Sequence, residues 1–208
     1  MTDLYLDFLC PYAWRGVELA AVLRAEGEPF RLRHYSLVEG NHPDNAGART
    51  WQITAQAAPD GGEGGWQEQS LQAFLAAQAA ALQGEEARWA FTLALLRARH
   101  EARQDLNEPA FAQAAQDAGL DLERWAQDRA DDGARRTDLR AELDAAAEIG
   151  VFGTPTFVLP DGAAAYYRFE HLTRDPAVAR ERWSLYRTVL GSEAGIGTIK
   201  RAKHRPAK

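Results

Sequence analysis

The residue best suited to chemistry in this chain is Cys10, the only cysteine among its 208 residues. It follows a short apolar run, Leu4–Leu9, and precedes Pro11, which suits a first helical turn because its missing N–H is not needed there. A thiol at a helix N-terminus meets unsatisfied backbone N–H groups and the positive end of the helix dipole, and both favour the thiolate. Cys10 is therefore a candidate nucleophile. The alternative is a buried cysteine that only fills space.

The pair Thr154-Pro155 is the second candidate element. It precedes an apolar run, Thr156–Leu159, and proline is typical of the first residue of a strand because it lacks a backbone donor. An X-Pro bond also adopts the cis form at a smaller cost than other peptide bonds. Thr154-Pro155 is either part of a functional loop beside an active site or a plain turn that begins a strand.

The elements that position Cys10 follow from hydrophobic periodicity. Leu4–Leu9 is predicted as a buried strand, and apolar residues then recur at helical spacing from Trp14 towards Gly27. Residues 30–38 alternate in character and are predicted as a second strand. A strand, a helix and a strand in such a short stretch indicate a parallel βαβ unit.

The remainder of the chain divides into a loop, a helical block and a second strand region. Residues 39–65 are rich in Gly, Pro, Asn and Asp and are predicted as a long loop. Helices are predicted near 66–82, 85–102, 109–118, 122–130 and 134–148. Strands return at 156–159 and 164–169, around the turn signal Pro160-Asp161-Gly162, and a last helix is predicted from Pro176 to Gly191.

This order of elements predicts an α/β fold with an inserted all-helical domain. Residues 1–38 and 150–208 are predicted to form the sheet-containing domain, and residues 39–149 the loop plus the inserted helices. An active site would lie in the cleft between them, where Cys10 and the Thr154-Pro155 loop meet.

Composition limits the function classes. The net charge of −6 argues against a broad nucleic-acid surface, and the basic end, residues 200–208, is interpreted as a solvated terminus. A single cysteine excludes an intrachain disulfide and a cysteine-rich metal site. No apolar run reaches membrane-spanning length, and no signal peptide is recognisable at the start, so we expect a cytoplasmic protein without a membrane partner.

Two segments, Asp7–Trp14 and Gly150–Phe157, resemble the DsbA family. The most similar branch contains FrnE-like proteins, 2-hydroxychromene-2-carboxylate isomerases and kappa-class glutathione transferases. The resemblance implies a thioredoxin-like fold in which Cys10 matches the nucleophilic cysteine and a cis-proline loop lies against it. Ala13 stands where the oxidoreductases have their second cysteine.

The resemblance also implies a set of substrate-binding residues and a thiol partner. Pro11, Tyr12, Thr154 and Pro155 are the expected substrate-binding residues, and the backbone of Thr154 would pair with an extended or glutathione-like ligand. No cofactor is expected to bind tightly, and glutathione or another small thiol is the expected partner. The other expected partner is an extended peptide or mixed disulfide.

Three functions remain open from the sequence. The first is a thiol-disulfide oxidoreductase with one active-site cysteine, which acts by mixed-disulfide exchange with a small thiol. The second is a glutathione-dependent isomerase or transferase, in which Cys10 replaces a serine of that branch. The Ser-Asp pair that holds glutathione in those enzymes is absent from residues 166–171, which weakens this reading. The third is a non-catalytic binding module on a redox fold.

Weaker candidates surround this set. His34 and His42 are possible acids or bases near Cys10, although a lone histidine is more often structural. Arg15 can attract an anionic substrate, and Arg168 and His171 can contact a ligand carboxylate. Trp14 is a groove-lining residue or plain core.

Overall fold

A computed structural model describes residues 1–57, 65–191 and 195–196. Its sheet has four strands, β1 (Thr2–Leu6), β2 (Phe30–His34), β3 (Thr156–Val158) and β4 (Ala164–Tyr166), and helix α1 (Pro11–Ala25) joins β1 to β2. The strand order is β2-β1-β3-β4, with β1 parallel to β2 and antiparallel to β3. The antiparallel pair β3 and β4 forms the predicted hairpin. The predicted parallel βαβ unit is confirmed.

Both strands of this unit are shorter than predicted. Strand β1 ends at Leu6 because the Asp7 carboxylate accepts hydrogen bonds from the backbone N–H groups of Leu9 and Leu37, which turns the chain out of the sheet. Strand β2 ends at His34, and Ser36 then caps a short helix instead of continuing the strand. Phe8 and Val38 are buried outside the strands, in a turn and in a short helix.

Seven further helices surround the sheet or form the inserted block. They are α2 (Leu37–Gly40), α3 (Trp66–Ala81), α4 (Glu85–His100), α5 (Glu108–Asp117), α6 (Leu122–Ala130), α7 (Asp132–Ile149) and α8 (Pro176–Leu190). Asn107, Asp121 and Asp175 cap their helices with side-chain oxygens. The five predicted helices of the block are present, with ends shifted by at most two residues.

The segment predicted as a long loop is built around one buried carboxylate. Glu39 accepts hydrogen bonds from Arg49, from Arg140 on α7 and from the backbone N–H of Ile53. Asn45 adds hydrogen bonds to the chain near Trp51. Residues 39–57 therefore follow a defined path with two short 3-10 turns, at 43–45 and 53–55. Most of the glycine run, residues 61–64, and the basic end at 200–208 lie outside the described residues.

One continuous core joins the strands to the helical block. Its buried members include Leu6 on β1, Val17 on α1, Phe74 on α3, Phe91 on α4 and Trp183 on α8. The division into a sheet-containing domain and an inserted domain stays a prediction. None of the helices in the described part of the chain is long and apolar enough to cross a membrane, and no cluster of metal-ligating residues occurs there.

Candidate functional site

Cys10 lies where β1 has ended and α1 begins, and its sulfur caps the helix. The backbone N–H of Ala13 donates to Cys10 Sγ at 3.4 Å. The thiol in turn donates to the carbonyl oxygen of Thr154 at 3.2 Å. Cys10 is only 6% exposed, so its sulfur sits in a slot between the first turn of α1 and the 154–155 loop. The two sequence motifs are thus in direct contact.

The loop at Thr154-Pro155 packs tightly against α1. The peptide bond between these residues is cis. Gly16 permits the approach, because a Cβ atom at that position would lie 2.9 Å from the Cβ and Cγ atoms of Pro155. Thr154 is 1% exposed, and its Oγ1 has no hydrogen-bond partner within the described residues. A buried polar atom without a partner is costly, so this hydroxyl is an unusual feature of the loop.

Tyr12 extends the site away from the thiol, because its ring contacts two arginine side chains. The guanidinium of Arg168 lies 4.6 Å from the centre of the Tyr12 ring, and that of Arg15 lies 5.1 Å from it. Arg168 also lies 5.2 Å from the ring centre of Tyr166 and donates through Nε to the Tyr166 hydroxyl. Arg15 donates to the carbonyl oxygen of Phe169 at 3.1 Å. The surface beside Cys10 is therefore aromatic and cationic.

His100, at the end of α4, supports the turn that carries Cys10. Its Nε2 lies 2.8 Å from the carbonyl oxygen of Phe8, and its ring stacks on Trp14 with centroids 5.9 Å apart. Burial lowers the pKa of His100 to about 4, so the ring is neutral at pH 7. Because the Phe8 carbonyl can only accept, Nε2 is assigned as the protonated nitrogen in this contact. The sequence did not indicate this residue, because nothing local to His100 points to a partner 92 positions away.

Asp7 is the second support of the same turn. It is fully buried, its carboxylate holds the N–H groups of Leu9 and Leu37, and its carbonyl accepts from the N–H of Cys10 at 3.1 Å. Burial raises the pKa of Asp7 to about 6, although both backbone hydrogen bonds oppose this shift. A titratable carboxyl group therefore stabilises the turn that leads to Cys10.

The two histidines that the sequence suggested as acids or bases, His34 and His42, make structural contacts instead. His34 is fully buried, its Nδ1 lies 2.9 Å from a carboxylate oxygen of Glu142, and burial lowers its pKa. Glu142 is held in turn by Arg88 of α4. His42 stacks on Trp51 with ring centroids 4.1 Å apart. In the part of the chain that the structure describes, neither histidine contacts Cys10.

Of the other residues expected at the site, some lie beside Cys10 and the rest make contacts elsewhere. Cys10, Thr154 and Pro155 come together with the first turn of α1, where Pro11 is exposed and Tyr12 is partly buried. Arg15 and Arg168 join them through the Tyr12 ring. Trp14 is partly buried against the core and donates to Glu18 at 3.2 Å. His171 is exposed, and its carbonyl accepts from Arg182.

Comparison with known proteins agrees with this geometry. The family model for the DSBA-like thioredoxin domain matches residues 1–172 of this chain. A putative protein disulfide isomerase from Nitrosomonas europaea has a similar structure, with a TM-score of 0.59, 16% identity, and coverage of 89% of this chain and 96% of that one. The cytosolic disulfide reductase DsbM from Pseudomonas aeruginosa, solved with GSH, gives a TM-score of 0.57, 16% identity, and coverage of 89% and 98%.

A third similar structure is an isomerase. The 2-hydroxychromene-2-carboxylate isomerase gives a TM-score of 0.58, 14% identity, and coverage of 95% of this chain and 99% of that one. A search of curated protein sequences found no match. The thioredoxin-like fold with a helical insertion, predicted from the two motifs, is confirmed.

Proposed function

Because the chain belongs to the DSBA-like thioredoxin domain family, we propose that it exchanges thiols and disulfides through Cys10 alone. In the first step the Cys10 thiolate attacks one sulfur of a substrate disulfide, forms a mixed disulfide and releases the other half as a thiolate. In the second step a small thiolate attacks the substrate sulfur of that mixed disulfide, which regenerates Cys10. No net oxidation occurs, because each step forms one S–S bond and breaks one.

The observation that carries this proposal is the position of Cys10 Sγ between two backbone groups. The N–H of Ala13, 3.4 Å away, is oriented to stabilise a thiolate at this sulfur. The carbonyl of Thr154, 3.2 Å away, accepts the thiol hydrogen in the resting protein. The sulfur is thus held by one backbone donor and one backbone acceptor at the start of α1.

Pro11, Tyr12, Thr154 and Pro155 are the proposed substrate-binding residues. The backbone of Thr154 would pair with an extended ligand. Pro11 and Tyr12 would border the entry to the thiol on the α1 side, since Pro11 is exposed there.

Ala13 makes a second thiol necessary. It occupies the position of a resolving cysteine, it is fully buried, and the chain has no other cysteine. The proposed resolving partner is glutathione or another small thiol, bound only transiently. The reaction would then take place in a reducing compartment such as the cytoplasm, which supplies such thiols. The Pseudomonas aeruginosa DsbM structure, described as cytosolic and containing GSH, supports the proposal by analogy.

A mixed-disulfide exchange assay tests the proposal. Native protein should accelerate exchange between a glutathionylated peptide and free glutathione, and Cys10→Ser should abolish the acceleration. The mixed disulfide at Cys10 should also be trapped and seen by mass spectrometry after acid quenching. Protein alkylated at Cys10 is the matched control, because it keeps every other residue. Equal rates for native protein and Cys10→Ser would reject the proposal.

A glutathione-dependent isomerase or transferase is the second candidate. Its support is the isomerase structure, which is similar over nearly the full length of both chains, and the capping position of Cys10. Calorimetric titration with glutathione separates the two functions. Binding that survives Cys10→Ser and needs no disulfide favours the isomerase or transferase. Slow alkylation of Cys10 across the accessible pH range would instead favour a non-catalytic binding module.

A further inference from the structure

We propose that Arg168, Arg15 and Tyr12 form a binding site for a carboxylate group on the substrate that reacts with Cys10. This inference rests on the proposed exchange reaction and specifies the substrate class. The disulfide that Cys10 attacks would carry a carboxylate on the half that becomes attached to the protein, and the two guanidinium groups would hold it.

Two positive charges share one aromatic ring beside the thiol. The guanidinium carbons of Arg168 and Arg15 lie 4.6 and 5.1 Å from the centre of the Tyr12 ring, so they are less than about 10 Å apart. Like charges at this range repel each other. An anion bound beside this cluster offsets that repulsion and is attracted by both charges.

Arg168 is held in an orientation suited to binding. Its guanidinium contacts the rings of both Tyr12 and Tyr166, and its Nε donates to the Tyr166 hydroxyl. That hydrogen bond uses Nε and leaves the terminal nitrogens to other partners. Because a guanidinium presents a planar fork of N–H groups that matches a carboxylate, a fixed and exposed arginine loses little entropy when it binds one.

The cluster is attached to both sides of the Cys10 slot. Tyr12 lies two residues after Cys10, in the first turn of α1. Tyr166 packs on Gly153, where an added Cβ would lie 3.2 Å from the ring, and Gly153 directly precedes the loop that contacts the thiol. Arg15 is anchored to the Phe169 carbonyl. A ligand that occupies the slot therefore has the arginine pair beside it.

The chemical step uses this placement directly. The Cys10 thiolate attacks the sulfur that carries the carboxylate-bearing group, a new S–S bond forms, and the other sulfur leaves with the electron pair of the broken bond. The carboxylate stays ionised throughout. Its contact with Arg168 orients the attacked sulfur towards Cys10 and distinguishes it from the leaving sulfur.

Matched pairs of pyridyl disulfides test the inference. Pyridyl disulfides of mercaptopropionate and mercaptohexanoate are each compared with their primary amides, and release of pyridinethione is followed in a single turnover. Native protein should react with the carboxylates about fivefold faster than with the amides, as expected for an ion pair at an exposed site. Arg168→Gln should bring the ratio close to one. Arg168→Lys should restore part of the preference, and added salt should reduce it.

Arg180→Gln is the matched control, because it removes one positive charge from α8, where Arg180 pairs with Glu26. It should keep the native preference. A second pair, short cysteine peptides with Glu or Gln after the reacting cysteine, distinguishes the source of the carboxylate. Preference in the mercaptoalkanoates assigns a small thiol, and preference only in the peptides assigns an acidic peptide.

Two results would overturn the inference. The first is an equal rate for carboxylates and amides in native protein in both series, and the second is a preference that Arg168→Gln leaves intact. In either case reaction of the amides with Cys10 would keep the proposed exchange function. If no disulfide reacts at Cys10, the exchange function fails and the carboxylate site fails with it.

Discussion

The thiol of Cys10 donates a hydrogen bond to the carbonyl oxygen of Thr154, a residue 144 positions later in the chain. This contact joins the start of α1 to the loop before β3, and it defines the site on which both proposals depend. It also makes the site sensitive to any change that separates the helix from the loop.

Gly16 allows α1 and the Thr154-Pro155 loop to approach each other closely. Gly16→Ala would place a methyl group 2.9 Å from two carbon atoms of Pro155, so α1 and the loop must move apart. We expect a loss of about 1–3 kcal/mol in the free energy of unfolding and a changed rate of Cys10 alkylation. Denaturant unfolding and timed alkylation measure the two effects.

Gly133→Ala is the control for that change. Gly133 is also helical, and an added Cβ there meets nothing within 4 Å. This variant should be neutral or gain up to about 1 kcal/mol, because alanine favours a helix over glycine. Similar destabilisation in both variants would show that the contact between Gly16 and Pro155 is not the cause.

Ala13→Cys should recreate a dithiol site. Position 13 follows the capping sulfur by one helical turn, and its N–H already lies 3.4 Å from Cys10 Sγ. We expect a disulfide between positions 10 and 13 in a mildly oxidising glutathione buffer, seen as the loss of two hydrogens in the protein mass.

The oxidised Ala13→Cys variant should also donate its disulfide to a dithiol substrate, which native protein cannot do. Ala25→Cys, exposed at the far end of α1, adds the same thiol beyond reach of Cys10 within one chain. If Ala13→Cys kept two free thiols under the same conditions, the first turn of α1 would not have the geometry described here.

Asp7 should make stability depend on pH in a direction unusual for a carboxylate. Burial raises its pKa from 3.8 to about 6, so between these values the folded protein holds a proton that the unfolded chain has lost. The free energy of unfolding should therefore fall as the pH rises from about 4 to 6, by roughly 3 kcal/mol from this group. Asp7→Asn cannot titrate, so the difference between its pH profile and the native one isolates the contribution. Parallel profiles would contradict it.

His100 should change the free energy of unfolding with pH in the opposite direction. Burial lowers its pKa from 6.5 to about 4, so in that range the unfolded chain binds a proton that the folded protein does not. Its contribution to stability is present above pH 6.5 and is lost as the pH falls towards 4. NMR titration of the His100 imidazole gives its pKa directly, and a value at or above 6.5 would contradict the burial described here.

Substitution of His100 tests its role in supporting the Cys10 turn. His100→Phe keeps a ring for Trp14 but removes the donor to the Phe8 carbonyl, which lies 2.8 Å from Nε2. We expect a loss of about 1–3 kcal/mol from the unsatisfied carbonyl, together with altered alkylation of Cys10. His100→Gln retains a donor and should recover part of both effects. If both variants behave alike, the hydrogen bond is not what supports the turn.

Local signals predicted much of the fold. Asn107 and Asp121 directly precede two of the predicted helices and cap them, because a capping side chain needs only the N–H groups two or three residues ahead. The Cys10-Pro11 and Thr154-Pro155 motifs indicated a contact between distant segments through their resemblance to a family, and the structure contains that contact.

The strand ends and the supporting residues could not be predicted, since they depend on distant partners. Asp7 stands in an apolar run that is typical of a continuous strand, but the strand ends where its carboxylate accepts from the N–H groups of Leu9 and of the distant Leu37. Glu39 opens a stretch with the composition of a loop, but Arg140 of α7 fixes it from 101 positions away. No periodicity within a short window contains such information.

The pairing of β1 with β3 has a consequence for the order of assembly during synthesis. Leu4 on β1 is synthesised before the whole helical block, and its partner in the sheet, Phe157, is synthesised after that block. Until then β1 has only β2 as a sheet partner. Cys10 likewise cannot contact Thr154 until the 144 positions that separate them have been synthesised. The nascent chain thus carries the Cys10 thiol without its partner loop while the helical block is made.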